Sequence, residues 1–291
     1  MICGITCGVL TGVCWGISGV FSQYLFTNTA MNAGWFVAVR MLIAGMIMMI
    51  CTCIMKPKEV VNLVKQPRDL SVCALTGIVG TMLFQFCCYG TVQKSNAATA
   101  IVLQYLCPVI VMLFVCLKKR KLPSGLELIA LNNALLGVFL IATHGKLQEL
   151  VMTGEALSWG IGCAFFMALA TVLPAGLYRN YSPQTITSMT LLSGAVVACA
   201  IIRPWNQHIE LDIKAFFAFA FTVLFGSFLA YIMYAVSVQL SGSERASLFA
   251  CAEIPTATVL SVVLLGNTFV WQDIVGFLLI GSTIFISTSK K

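Results

Sequence analysis

Two charged residues stand inside otherwise apolar sequence, and they are the first places to look for chemistry. Glu253 falls near the middle of an apolar run spanning 244–265, and Arg40 lies within the run spanning 33–55. A charge at the bilayer centre costs at least ~2.5 kcal/mol on insertion scales, so it must face a partner or a wet cavity. A carboxyl at Glu253 can therefore carry a proton or balance a cationic group on a ligand. It can equally serve structure, as an ion-pair partner of Arg40 or as a carboxyl bonded to a neighbouring helix. Arg40 lies nearer the end of its run, where a long side chain can snorkel toward the interface. It reads as a gating or structural residue rather than a ligand contact.

The remaining polar and aromatic candidates are Trp15, Gln85, Tyr89, Gln104, Tyr105, Tyr231 and Tyr234. Trp15 and Tyr105 are suited to be aromatic walls for a cation or a flat ring. Gln85 and Tyr89 share one helix face by their four-residue spacing. Each of these residues also suits an ordinary hydrogen bond or packing contact between helices. Pro108 and Pro255 fall mid-run; proline removes a backbone donor and loosens a helix, for a hinge or for a plain packing kink. With Glu253 aligned to Leu106, Gln104 is two positions out of register, and two positions on a continuous helix differ by ~200°. Gln104 and Glu253 are thus not expected on symmetric faces of one cavity.

Other chemistries find no residues here. The sequence holds no HExxH, no GxSxG and no P-loop pattern, and His144 and His208 stand apart. That argues against an intramembrane enzyme, a metal centre, a resident cofactor or direct use of ATP. Thirteen cysteines form no CxxC pair and lie mostly within apolar runs, where they act as small hydrophobes.

The elements that must position these residues are helices in a bilayer. Hydrophobic residues make up 59% of the 291-residue chain and charged ones 9%, against about 25% charged in a soluble domain. The mean hydropathy is +0.96. A span needs roughly 20 apolar residues, and the sequence predicts spans at 3–26, 33–55, 70–92, 96–117, 125–144, 154–177, 184–202, 214–239, 244–265 and 270–288. Lys56-Pro57-Lys58, Lys118 to Pro123, Ser182-Pro183 and Arg203-Pro204 mark boundaries. The first run lacks a basic leader and reads as a retained helix.

Lys56, Lys58, Lys65, Arg68, Lys118 to Lys121, Arg179, Arg245, Lys290 and Lys291 fall on one side of this layout. Only Lys94, Lys146, Arg203 and Lys214 fall on the other. The positive-inside rule then places both termini in the cytoplasm. The net charge of +7 belongs to these loops and to membrane topology, not to nucleic acid. Trp35, Trp159, Trp205 and Trp271 fall near the outer interface, as an aromatic belt requires.

The two halves resemble each other. Gly4, Gly8, Gly12 and Gly16 form a four-residue stripe in the first run, and Gly154, Ser158 and Gly162 form one in the sixth. Tyr89-Gly90 and Gln93 lead into Pro108 as Tyr234-Ala235 and Gln239 lead into Pro255, with a shift near Gly242. Five spans per half invert the second, giving a first repeat at 1–147 and an inverted second repeat at 148–291. Paired interrupted spans in inverted repeats point to a transporter site at the repeat interface.

Several local motifs then fall in a recognisable order. They are Trp15-Gly16, the run from Val39 to Gly45, Tyr89-Gly90, Glu253-Ile254-Pro255, and Leu264-Leu265-Gly266 ahead of a Gly276 to Gly281 helix. Over its whole length the chain resembles the EamA-type branch of the drug/metabolite transporter superfamily. Asn267 stands where that family often has Glu, so a paired glutamate latch is not expected. The resemblance implies an all-α polytopic membrane protein of ten helices in a bacterial inner membrane. It implies a secondary transporter that exports an amino acid or related small metabolite by alternating access. A proton-coupled transporter of a cationic or quaternary-ammonium compound is the alternative, and a non-transporting receptor or scaffold is a third class. The partners expected are the substrate, protons or another coupling ion, and lipid.

Overall fold

The computed structural model describes residues 2–120, 125–145, 152–241, 246 and 249–288, and these residues are helical almost throughout. Lys121, Lys146, Gly242, Glu244, Arg245, Lys290, Lys291 and the expected boundary at 147/148 lie outside them. Helix α1 is Ile2–Asn28, α2 Ala33–Met55, α3 Pro57–Lys65 and α4 Pro67–Leu75. A π-helical segment, Thr76–Met82, joins α4 to α5, Leu83–Lys94. Then come α6 Ala97–Gln104, α7 Cys107–Lys119 and α8 Gly125–Thr143. Helix α9, Gly154–Val172, ends in a 3-10 turn, and α10 is Pro183–Ile202. Helix α11, Ile213–Val223, passes through a second π-helical segment, Leu224–Leu229, into α12, Ala230–Ser241. The chain closes with α13, Glu253–Leu265, and α14, Trp271–Thr288.

Local chemistry sets the ends. The Asn32, Asn96, Thr153 and Asp212 side chains accept hydrogen bonds from the backbone N–H three residues on, satisfying donors a helix start leaves open. Pro57, Pro67 and Pro183 occupy first-turn positions, where the missing N–H costs nothing. Gly266 ends α13 at φ 67°, a left-handed conformation glycine adopts freely.

Among the described residues, six helical stretches are long and apolar enough to cross a membrane: 2–28, 33–55, 67–94, 154–179, 183–206 and 213–241. Shorter apolar helices occupy 97–111, 128–143 and 253–265. The molecule is a polytopic helical membrane protein, and each expected span coincides with helix along most of its length.

Early and late helices interleave. Helix α1 packs on α11, α12 and α13, α2 runs along α10, α5 along α9, and α8 along α14. The glycine stripe of α1 makes its contact possible. A Cβ at Gly12 would stand 2.9 Å from Glu253 N, and one at Gly16 would stand 2.9 Å from Glu253 O. The stripe therefore serves packing within the chain. The second stripe packs only at its third member: Gly154 has open space around it and Ser158 is exposed, while a Cβ at Gly162 would stand 3.2 Å from Cys87 Sγ. In α9 it is Gly160, off the expected stripe, that meets Leu103.

Near the charged loops, α3 and α4 clasp the start of α10. Glu59 Oε2 accepts from Ser182 N at 2.9 Å, Ser182 Oγ at 2.7 Å and Thr185 Oγ1 at 2.9 Å. The Tyr181 hydroxyl donates to Asp69 at 2.9 Å, above a cluster of Leu63, Cys73, Leu177 and Ile186. Partial burial pushes the Glu59 carboxyl up. The bonds from Ser182 and Thr185, with the Lys56 charge, outweigh it and hold the group below the ordinary carboxylate value.

Candidate functional site

The helices that carry both prolines are broken just ahead of them. Tyr105 and Leu106 form a turn between α6 and α7, and Cys251 and Ala252 form one ahead of α13. In a regular helix the N–H at 108 would bond the Gln104 carbonyl, and that at 255 the Cys251 carbonyl. Proline has no such donor, so each helix gives way one turn upstream.

The first break positions a carboxylate clamp. Glu253, buried at 6% exposure, opens α13. Gln104 Nε2 donates to both of its carboxylate oxygens at 3.3 Å, and the Tyr105 hydroxyl donates to one at 3.0 Å. Gln104 is two positions out of register with Glu253, and the expectation that they do not share symmetric faces of one cavity is drawn on continuous helices. The turn at Tyr105–Leu106 breaks that continuity, and the two side chains meet. Cys88 Sγ stands 3.9 Å from the Gln104 side-chain oxygen Oε1 and backs the clamp.

Arg40 forms a second cluster and does not snorkel, being only 6% exposed. Its Nε donates to the Thr222 carbonyl and its Nη2 to the Gly226 carbonyl, each at 3.3 Å. Its Nη1 donates to Gln85 Oε1 at 3.2 Å and to the Tyr89 hydroxyl. The guanidinium also lies over the Phe36 and Tyr89 rings, 5.6 and 5.0 Å from their centroids. Gln85 and Tyr89 share a face, as their spacing predicts. The alternative of an Arg40–Glu253 ion pair is not what the structure contains: each charge has its own neutral partners.

A third group is aromatic. Trp15 meets Tyr231 at 5.9 Å and Tyr234 at 5.6 Å between ring centroids. Tyr105, the other residue suited to be an aromatic wall, has its hydroxyl on Glu253. Helix α1 runs past both charged clusters: Gly16 lies against the Glu253 carbonyl, and Ser18 lies against Gly226, whose carbonyl binds Arg40.

Sequence reasoning missed Phe36, Cys88 and the carbonyls of Thr222 and Gly226. The last two follow from the π-helical segment after α11, which alters the usual carbonyl pairing. Gly226 within a run of bulky apolar residues is the one signal that marks the spot: a Cβ there would collide with Ser18.

The chain matches the model of a family described as the EamA-like transporter family over residues 2–143 and again over 155–289. It is 32% identical to a Salmonella typhimurium protein named "Uncharacterized inner membrane transporter YicL", across 97% of this chain and 94% of that one. It is 22% identical to an "Uncharacterized transporter" of Clostridium kluyveri, across 97% and 93%. A solved crystal structure, 16% identical, covers 98% of this chain and 96% of its own with a TM-score of 0.66, and so shares the fold.

Proposed function

The chain belongs to the EamA-like transporter family, and from that premise we propose that it is a secondary-active transporter of a small organic metabolite. Alternating access operates about the Glu253 centre, with a bacterial inner membrane as its setting and export as its direction. An amino acid or related compound is the cargo class. One observation carries the reading: a buried carboxylate opens one half of a broken helix and is held by Gln104 and Tyr105, at the break of another. Interrupted spans with polar groups at their ends are how transporters build sites at membrane depth.

Two inverted repeats, 1–147 and 148–291, supply the moving parts. The aligned prolines 108 and 255 each follow a helix break, and among the described residues each half contains one π-helical segment, which supports the division. With α1 packed on late helices, a rocking motion must carry elements of both repeats together. Glu253 takes the coupling proton or the substrate cation; Gln104 and Tyr105 hold it between turns of the cycle. Trp15, Tyr231 and Tyr234 line the path, with Gln85 and Tyr89 on its far side. Pro108 and Pro255 supply the hinges, and Arg40 moves with them.

The aromatic group favours a second reading, proton-coupled transport of a cationic or quaternary-ammonium compound, since ring faces attract such cations. A thermal-shift screen of metabolites against wild type and Glu253→Gln, followed by flux of each hit in proteoliposomes, tests both. A ligand raises stability by RT ln(1 + [L]/Kd). Hits that vanish in Glu253→Gln and that move across the vesicle membrane support the reading. Binding without flux overturns transport.

A further inference from the structure

Arg40 presents two different edges. Its guanidinium has five N–H donors in a planar fork. The Nε and Nη2 atoms rest on the Thr222 and Gly226 carbonyls, backbone oxygens that cannot swing aside without unwinding the helix. Nη1 meets only side chains, Gln85 and Tyr89, and these can leave by rotation about their χ angles. Among the described residues no carboxylate forms an ion pair with Arg40. Its partners are carbonyls, an amide and a phenol, all neutral and each weaker toward a cation than a carboxylate. Nη2 has two hydrogens and bonds one carbonyl, so the Nη1–Nη2 end has a donor to spare. That end matches the two-oxygen geometry of a carboxylate.

We propose that Arg40 is the receptor for a carboxylate on the substrate, which takes the Nη1–Nη2 end as Gln85 and Tyr89 turn away. The proposal rests on the transporter reading above and sharpens it. Helix α1, which carries Trp15 of the Trp15–Tyr231–Tyr234 group, meets Glu253 at Gly16 and Gly226, the carbonyl partner of Arg40, at Ser18. A substrate with an anionic end at Arg40 and a cationic end at Glu253 satisfies both. In this structure, Gln85 with Tyr89 and Gln104 with Tyr105 stand in for those two ends, one Gln/Tyr pair per charge.

The test is a thermal-shift titration of purified wild type, Arg40→Lys, Gln85→Ala and Glu253→Gln. The probes are amino acids, each beside its carboxamide and its decarboxylated amine. For at least one amino acid, wild type binds the zwitterion about tenfold or more tightly than either neutralised counterpart. Arg40→Lys keeps the charge but loses the fork, and the preference falls below about threefold while amine binding stays. Gln85→Ala removes a competitor for Nη1, so zwitterion affinity rises and amine affinity does not. Should the amines bind as well as the zwitterions, or should both Arg40→Lys and Gln85→Ala leave the ratio unchanged, the assignment of Arg40 is overturned. Binding that still depends on Glu253 would then leave the transporter reading standing. If no probe binds in a manner that depends on Glu253, the central site itself is misplaced and this proposal falls with it.

Discussion

Glu253 was legible in the sequence because a lone carboxylate amid apolar residues has few explanations. Its partners were not. Gln104 reaches it only because the helix turns at Tyr105–Leu106, and a helical wheel drawn through that turn rotates every later residue to a false position. Arg40 was misplaced for a related reason: its distance from the end of the run allowed snorkelling, but the carbonyls of Thr222 and Gly226 draw it inward. Two outcomes follow at this scale. Glu253→Gln preserves the shape of the clamp and removes its charge, so the protein folds and inserts while proteoliposome flux falls at least about tenfold. Gln104→Ala leaves the carboxylate short of two hydrogen bonds and lowers stability by about 1–3 kcal/mol, read as a lower melting temperature in detergent.

At the scale of elements, the helices and their ends were legible because caps, prolines and apolar runs are local signals. The π-helical segments and the clasp of α3 and α4 on α10 were not, since both depend on contacts across long stretches of chain. The glycine stripe of α1 shows how contact decides what a spacing means. Gly16→Leu forces a side chain against the Glu253 carbonyl and destabilises by about 1–3 kcal/mol. Gly154→Ala, in open space, is neutral or stabilising by up to about 1 kcal/mol; thermal melts of both variants check the contrast. The clasp has a pH signature. Glu59 is held below its ordinary value of 4.5, so its contribution is fully present above that pH and is lost as pH falls through the lower folded value. Wild type therefore melts above Glu59→Gln at pH 7, and the two curves converge in acid.

At the scale of the molecule, composition alone identified a membrane protein, and the order of its motifs pointed to the family that the chain joins. The bias of Lys and Arg predicts that both ends of the chain lie in the cytoplasm. A reporter fused to the C-terminus that is active only in the cytoplasm is expected to be active, and an externally active one silent. The seating of α1 against α11, α12 and α13 has a further consequence, for biogenesis. Helix α1 also meets α5 and α6, but its larger contacts, along the Gly4–Gly16 face, form only when the last third of the chain has been made. Until then that face waits in lipid unmatched. An N-terminal fragment ending near residue 147 should therefore be a target for membrane quality control when made alone. It should persist when the complementary fragment is made in the same cell.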